Sequence, residues 1–427
     1  MAGISETLRA HSLELFKAGI TAADPYAAVS RCLQHDGAHL RITLDTPHSG
    51  RILNKPWRRI HLIAFGKAAC SMMRAARRII PASNIGHAIA VTTDDNLTPI
   101  EGVDVYAAGH PLPNAAGLYA AQKIMDAVTA AQAGELVLVL ISGGGSALLP
   151  CPVEGLSLDD KIQVTQQLLA CGADIHQINC VRKHLSRLKG GGLAKRAHPA
   201  DIHALILSDV LDDDLSVIAS GPTVIDHTTF DDAISILKQY RCWENAPASV
   251  RNHLTQGADG KQPETLKADE LTATHSLIGS NALSVDAISR SSANLGYQSH
   301  LYSQHLCGEA RNVAEDFAAH CQNLLAKGLT APTAIIAGGE TTVTVKGPGK
   351  GGRNQEMTLA FALAAEHLAL PGQWSFLSGG TDGRDGPTDA AGGLVDPRSL
   401  SRMRARNINP QAPMRLKMAF CAWHSTD

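Results

Sequence analysis

A lysine in AFGKAACSMM, a glycine run in SGGGSALLPCP and an arginine in GKGGRNQE are the residues of this sequence best suited to handling an anion. Lys67 follows the apolar run HLIAF and opens a helical stretch. A cation at the positive end of a helix is unfavourable by roughly 0.3–1 kcal/mol unless an anion sits opposite. Lys67 therefore reads either as a surface lysine or as a ligand to phosphate or carboxylate. Gly143, Gly144, Gly145 and Ser146 leave a buried strand candidate for a turn or helix, where bare N–H groups can approach a phosphate. They are not a Walker loop, since no GK[ST] closes them. They are not a dinucleotide fingerprint either, since its third glycine would fall on Leu148. INCVRKHLSRLKGGG adds Arg182, Lys183, His184, Arg187 and Lys189. A solvated helix face closed by a glycine cap explains most of these charges; Lys189, adjoining the glycines, is the expected ligand contact.

The carboxylates fall in three places. In LSDVLDDDLS, Asp209 stands at a strand end, where metal ligands project, with Asp213 as a second choice. Asp212 and Asp214 fit a solvated turn or a helix cap. Glu340 follows AIIAGG, and Lys350 and Arg353 then share a loop with Gly347, Gly349, Gly351 and Gly352. Such a loop is costly to order, so it is predicted to be a phosphate clamp with Arg353 as its planar fork. SGGTDGRDGPTDAAGG supplies Thr381, Asp382, Asp385 and Asp389, either as an Asx-rich turn or as groups near a metal. Asp382 joins Asp209, Asp213 and Glu340 as a candidate metal ligand.

These residues need elements to hold them. Six apolar runs end on small or acidic residues: 61–67, 136–146, 203–209, 276–281, 334–340 and 376–382. Runs of this kind read as strands buried on both faces, whose carboxyl ends take ligands. Strands are predicted at 60–65, 86–92, 103–108, 136–141 and 203–208, alternating with Ala-rich helices. A second series is predicted from Ser276 through 297–303, 334–346 and 375–378. The polar stretch 255–274 places the boundary near residue 270. The fold class is thus two α/β domains with mainly parallel sheets, 1–270 and 271–427, and an interdomain cleft. Two N-terminal helices precede the first strand, one with Ile4, Leu8 and Leu15 on its apolar face.

The 427 residues are 44% hydrophobic and 18% charged, with net charge −2 and 4% aromatics. Those values exclude a polyanion-binding surface and a base-stacking platform. Nine scattered cysteines without a CxxC pair, and no signal-type or membrane-spanning apolar run, predict a reduced cytoplasmic protein.

Taken in order, AFGKAA, HPLPN, SGGGSALLP, INCVRKHLSRLKGGGLA, SDV…DD…IASGPT, IGSN, GGETTVTV…GKGGRNQE and GTDGRDGPTDAAGG resemble the class II glycerate kinases. These are glycerate 2-kinases with a C-terminal MOFRL-type domain. The resemblance implies a Rossmann-like larger domain and ATP-dependent phosphorylation of D-glycerate to 2-phosphoglycerate with a divalent metal, Mg²⁺. The family's active-site lysine and arginine fall on Lys67 and Arg353. Asn281 of IGSN joins Gly143, Gly144, Gly145, Ser146 and Lys189 as phosphate or nucleotide contacts. The expected partners are ATP and D-glycerate, with neither nucleic acid nor membrane. HPLPN has Asn114 where the family has Asp, which leaves that position out of the site. From about Gln411 the chain reads QAPMRLKMAFCAWHSTD, without the family's glycine-rich ending. That is expected of a shifted reading frame or truncation, and it opens the alternative of a catalytically impaired ligand-binding homologue. Hydroxypyruvate reductase, the other alternative, would need a nicotinamide fingerprint that the sequence lacks.

Overall fold

The computed structural model describes residues 2–44, 52–210, 213–268, 273–344 and 349–411. They form two compact units: Pro25–Ser280, and Met1–Asp24 together with Asn281–Asp427.

The larger unit opens with helix Pro25–Cys32 and an antiparallel sheet of β1 (Leu33–His35), β2 (Leu40–Thr43) and β3 (Ile52–Lys55). Sequence reading misses this sheet, because three or four residues carry too little periodicity. The centre is a six-stranded sheet of β4 (Ile60–Phe65), β5 (Ile85–Thr92), β6 (Asp104–Ala107), β7 (Leu136–Ile141), β8 (Asp201–Leu207) and β9 (Thr274–Gly279). The spatial order is β6-β5-β4-β7-β8-β9, and every adjacent pair is parallel. The chain builds outward from β4 to β6, returns to lay β7 on the other side of β4, and builds outward again. Strand order therefore reverses between β4 and β7, the place where open α/β sheets leave a ligand crevice at their carboxyl ends.

No residue of β4 or β7 reaches solvent. Successive side chains point to opposite faces. Ile63, Phe65, Val137, Val139 and Ile141 enter one core, and Leu62, Ala64, Leu136, Leu138 and Leu140 the other. Each large side chain so buried contributes roughly 1.5–3 kcal/mol, which is why the two runs show no polar alternation. A third core gathers Val164, Leu168, Phe230, Leu237 and Cys242 from the helices beyond β7.

The strand predicted from Ser276 is the sixth strand of this sheet, not the first of a second series. β9 pairs with β8, so the compact units part after Ser280 rather than near residue 270. The polar stretch that suggested the earlier boundary is a connection within the unit.

In the smaller unit β10 (Gln298–Glu309) and β11 (Thr333–Thr342) are parallel, whereas β12 (Phe376–Gly379) and β13 (Gly392–Val395) form an antiparallel pair. Helices Ala310–Ala326 and Arg353–His367 supply the core around Phe317, Phe361 and Phe376. The Phe361 and Phe376 rings stack at 4.0 Å. Helix Ala2–Ala23 belongs here as well. Ser284 Oγ donates to the Gly19 carbonyl at 3.1 Å, and Ser5 and Arg9 donate to the Asp396 carboxylate at 3.1 and 3.3 Å. Its buried points are thus Ser5 and Gly19, while Ile4, predicted on the apolar face, is 55% exposed. Gly19 lets helix Asn281–Asn294 approach closely: a methyl group there would lie 2.9 Å from Ile288 Cδ1. The atypical tail lies, from residue 412 on, outside the described residues. Among the described residues no helix is long and apolar enough to cross a membrane.

Candidate active site

Lys67 stands immediately beyond β4, and its backbone is held from two neighbouring strands. Its N–H donates to the Gly143 carbonyl at 2.8 Å, and its carbonyl accepts from Thr92 Oγ1 at 3.2 Å. The next N–H, of Ala68, donates to Ser142 Oγ at 3.0 Å. Gly66, at φ +123°, is packed so closely on Ser142 that a methyl group there would overlap the serine hydroxyl and carbonyl. Only glycine meets both demands. The Lys67 side chain itself is exposed. Its root is rigid and its ammonium free to meet a ligand.

The glycine run lies alongside. A methyl group on Gly144 would lie 3.0 Å from His110 Cδ2 and 3.5 Å from Lys67 Cγ, and one on Gly143 would overlap an Asp209 carboxylate oxygen. The carboxyl ends of β4, β7 and β8 therefore bring together Lys67, Gly143, Gly144 and Asp209, as the sequence predicts, together with His110, which it does not single out. Burial holds the His110 imidazole below its ordinary pKa, and the Lys67 charge pushes the same way. Both causes favour the neutral imidazole, which keeps one ring nitrogen as a hydrogen-bond acceptor. The available signal was position: HPLPN begins just past a predicted strand end. Thr92, which holds the Lys67 carbonyl, and Ser142, which holds the Ala68 N–H, are not legible in the sequence, because their roles depend on the order of the strands.

Lys189 takes a different place from the one predicted. It is 5% exposed, and its ammonium donates to the Ser146 carbonyl at 2.8 Å and to Ser146 Oγ at 3.3 Å. Ser146 Oγ lies 2.9 Å from Ser220 Oγ, which donates to Asn179 Oδ1 at 2.9 Å. Burial drives the Lys189 pKa well down, and Lys161 and Arg182 add to it. The residue supports the glycine loop from beneath. Asp213 is half-buried at φ +53°, and its N–H donates to the Val210 carbonyl. Asp214 accepts from the Ser216 N–H at 2.8 Å, as a turn former.

Lys161, on helix Leu158–Ala170, is buried with no hydrogen-bond partner for its Nζ among the described residues, and burial pushes its pKa down to about 7. The unfolded chain keeps that proton up to about pH 10.4. Between these values the unfolded state binds more protons, so stability rises with pH. Lys161→Met is expected to flatten that rise and to add on the order of 2 kcal/mol at neutral pH. Denaturant unfolding at pH 7 and pH 10 tests this; an unchanged pH slope in the variant would count against it.

In the smaller unit Arg353 begins helix Arg353–His367 and donates through Nη1 to Glu340 Oε1 at 2.7 Å, both side chains being partly exposed. Glu340 lies within β11, just after Gly339, whose φ of +150° and tight packing on the Leu306 backbone exclude a side chain. Asn281 packs against Gly338 and donates to the Gln304 carbonyl, joining its helix to β10. Asp382 is exposed in a turn, accepting from the Arg384 N–H at 3.2 Å. Asp385 is 2% exposed and accepts from the Asn354 and Gln355 N–H groups at 3.0 and 2.8 Å. It caps the helix that Arg353 begins.

Among the described residues no three His, Cys, Asp or Glu side chains converge as a metal cage. Of the four candidate ligands, Asp209 and Asp213 lie in one compact unit and Glu340 and Asp382 in the other. Asp209 beside the glycine loop nonetheless fits a Mg²⁺ ion. That ion keeps several waters and is commonly held by one or two carboxylates plus substrate phosphate oxygens.

Residues 11–255 match a family described as a domain of unknown function (DUF4147), and residues 333–427 match the MOFRL family. The chain is 39% identical over 409 residues to a glycerate 2-kinase of Pyrococcus horikoshii, covering 95% of this chain and 90% of that protein. It is 34% identical over 462 residues to the glycerate kinase of Homo sapiens, covering 95% and 86%. The crystal structure of a glycerate kinase from Thermotoga maritima superimposes with a TM-score of 0.82 at 35% identity, covering 97% of this chain and 93% of that one. With both domains matched and relatives aligned along nearly its whole length, the chain belongs to the glycerate kinase family of the DUF4147 and MOFRL type.

Proposed function

We propose that this chain transfers the γ-phosphoryl group of ATP to the 2-hydroxyl of D-glycerate, giving 2-phosphoglycerate and ADP. The observation that carries the reading is the Lys67–Gly143 junction: an exposed lysine and a glycine loop joined backbone to backbone where the strand order reverses. Phosphoryl transfer asks the protein mainly for alignment and neutralisation of charge. Lys67 is assigned to the transferring group and the Gly143–Ser146 backbone to the neighbouring phosphates. Lys189 holds that loop in shape. Arg353 is assigned, on the family pattern, to phosphate charge, with Glu340 orienting its fork. Asn281 keeps a proposed nucleotide contact. Mg²⁺, when bound, shields the phosphate oxygens, and Asp209 is the carboxylate assigned to hold it. Asp213, Glu340 and Asp382 are the remaining candidates.

Phosphorus NMR of a mixture of ATP, Mg²⁺ and D-glycerate tests the reading. A 2-phosphoglycerate resonance is expected. Its absence, together with NADH-dependent reduction of hydroxypyruvate, would replace this function with the reductase. Asp209→Asn should raise the Mg²⁺ concentration needed for half-maximal rate by about tenfold while changing the glycerate requirement little, since an amide keeps an oxygen but loses the charge. An unchanged Mg²⁺ titration would transfer the role to another of the four carboxylates.

A further inference from the structure

Cys171 and Cys242 are far apart in sequence but meet in space. The Cys242 thiol donates to Cys171 Sγ at 3.7 Å. Both are free thiols, Cys171 exposed and Cys242 only 3% exposed. Each follows a helix at the turn that ends it. Cys171 donates its N–H to the Gln167 carbonyl, closing helix Leu158–Ala170, and Gly172 then turns the chain at φ +77°. Cys242 donates its N–H to the Leu237 carbonyl after helix Phe230–Gln239, with Arg241 at φ +55° before it. Turn backbone adjusts more readily than mid-helix backbone. The sulfurs therefore need to close only from 3.7 Å to a bonded distance of about 2.05 Å.

We propose that Cys171 and Cys242 form a reversible disulfide, a redox modification site in which Cys171 meets the oxidant and Cys242 resolves it. With a hydroperoxide as oxidant, the Cys171 thiolate attacks the peroxide oxygen. An S–O bond forms, the O–O bond breaks, and alkoxide or hydroxide leaves. Cys242 then attacks the sulfenic sulfur of Cys171. The S–S bond forms as S–O breaks, and the Cys242 proton departs with the hydroxyl as water. The two thiols together supply two electrons, and the peroxide is reduced by two.

Accessibility sets the order of events, because only Cys171 is open to solvent. Burial, with the hydrogen bond to Cys171, pushes the Cys242 thiol up to about 11, so it stays protonated until its neighbour is activated. The other exposed cysteine among the described residues, Cys307, lies on β10 in the other compact unit. The bond would tie together the ends of two helices that contribute Val164, Leu168, Phe230 and Leu237 to one buried core. The inference does not depend on the kinase reading.

The test exposes the full chain to hydrogen peroxide, alkylates the remaining thiols, and locates bonds by tandem mass spectrometry of a proteolytic digest. A peptide linking Cys171 to Cys242 is expected, lost on treatment with dithiothreitol. In Cys171→Ser, Cys242 should remain alkylatable under the same exposure. In Cys242→Ser, dimedone should label Cys171 as the trapped sulfenic acid. Cys171 reaching the sulfinic acid while Cys242 stays alkylatable in the unaltered chain would overturn the proposal. So would oxidation of Cys242 at an undiminished rate in Cys171→Ser.

Discussion

Lys67→Ala should lower turnover by about 10²–10³-fold, the usual loss on removing one group that stabilises developing charge in a transition state. The melting temperature should hardly change. The side chain is exposed, and the contacts that fix this junction run through the Lys67 N–H and carbonyl, which alanine keeps. A second readout does not require turnover. The Lys67 charge is one of the two causes that hold His110 below its ordinary pKa, so its removal should move the His110 titration upward, as followed by NMR of the imidazole. A variant that turns over within a few-fold of the parent and melts at the same temperature would remove Lys67 from the reaction. A change in turnover with no movement of His110 would instead mean that the two side chains do not share a site.

The sequence makes the parts of this site legible but not their arrangement. β7 shows as an unbroken apolar run, and β4 as one interrupted only by the buried His61, because both of their faces are covered, and the glycines and acids at their ends follow from the turns they must make. That Lys67 sits beside Gly143 depends on β7 pairing with β4, a fact of strand order that local periodicity does not contain. His110 is not legible in the sequence for the same reason: it gains its place only when the residues beyond β6 fold back over Gly144. Lys189 is expected from the sequence as a ligand contact, whereas in the structure its ammonium is buried against Ser146. A lysine beside glycines looks the same in sequence whether its stem is buried or free. The boundary near residue 270 rested on composition, and β9 shows why composition misleads there: polar residues link two strands of one sheet as readily as they link two domains.

Asp385 shows how the same ambiguity decides a chemical role, and its replacement carries the largest expected loss of stability. The sequence left it open between a turn former and a group near a metal. In the structure both carboxylate oxygens are taken, one by the Asn354 N–H and side-chain amide, the other by the Gln355 N–H. These are the first N–H groups of helix Arg353–His367, which have no partner inside the helix. The negative charge also faces the positive end of the helix. Asp385→Ala would leave the half-buried Asn354 and Gln355 N–H groups without this acceptor and should cost about 2–4 kcal/mol. Because Arg353 is the first residue of that helix, its fork should also lose its orientation, so kcat should fall with little change in the Mg²⁺ requirement. Asp385→Asn, which keeps one accepting oxygen, should recover part of both losses. Denaturant unfolding and a Mg²⁺ titration of the rate on both variants separate the two roles. Stability within about 0.5 kcal/mol of the parent, with a steeply raised Mg²⁺ requirement, would make Asp385 a metal ligand and return the cap to water.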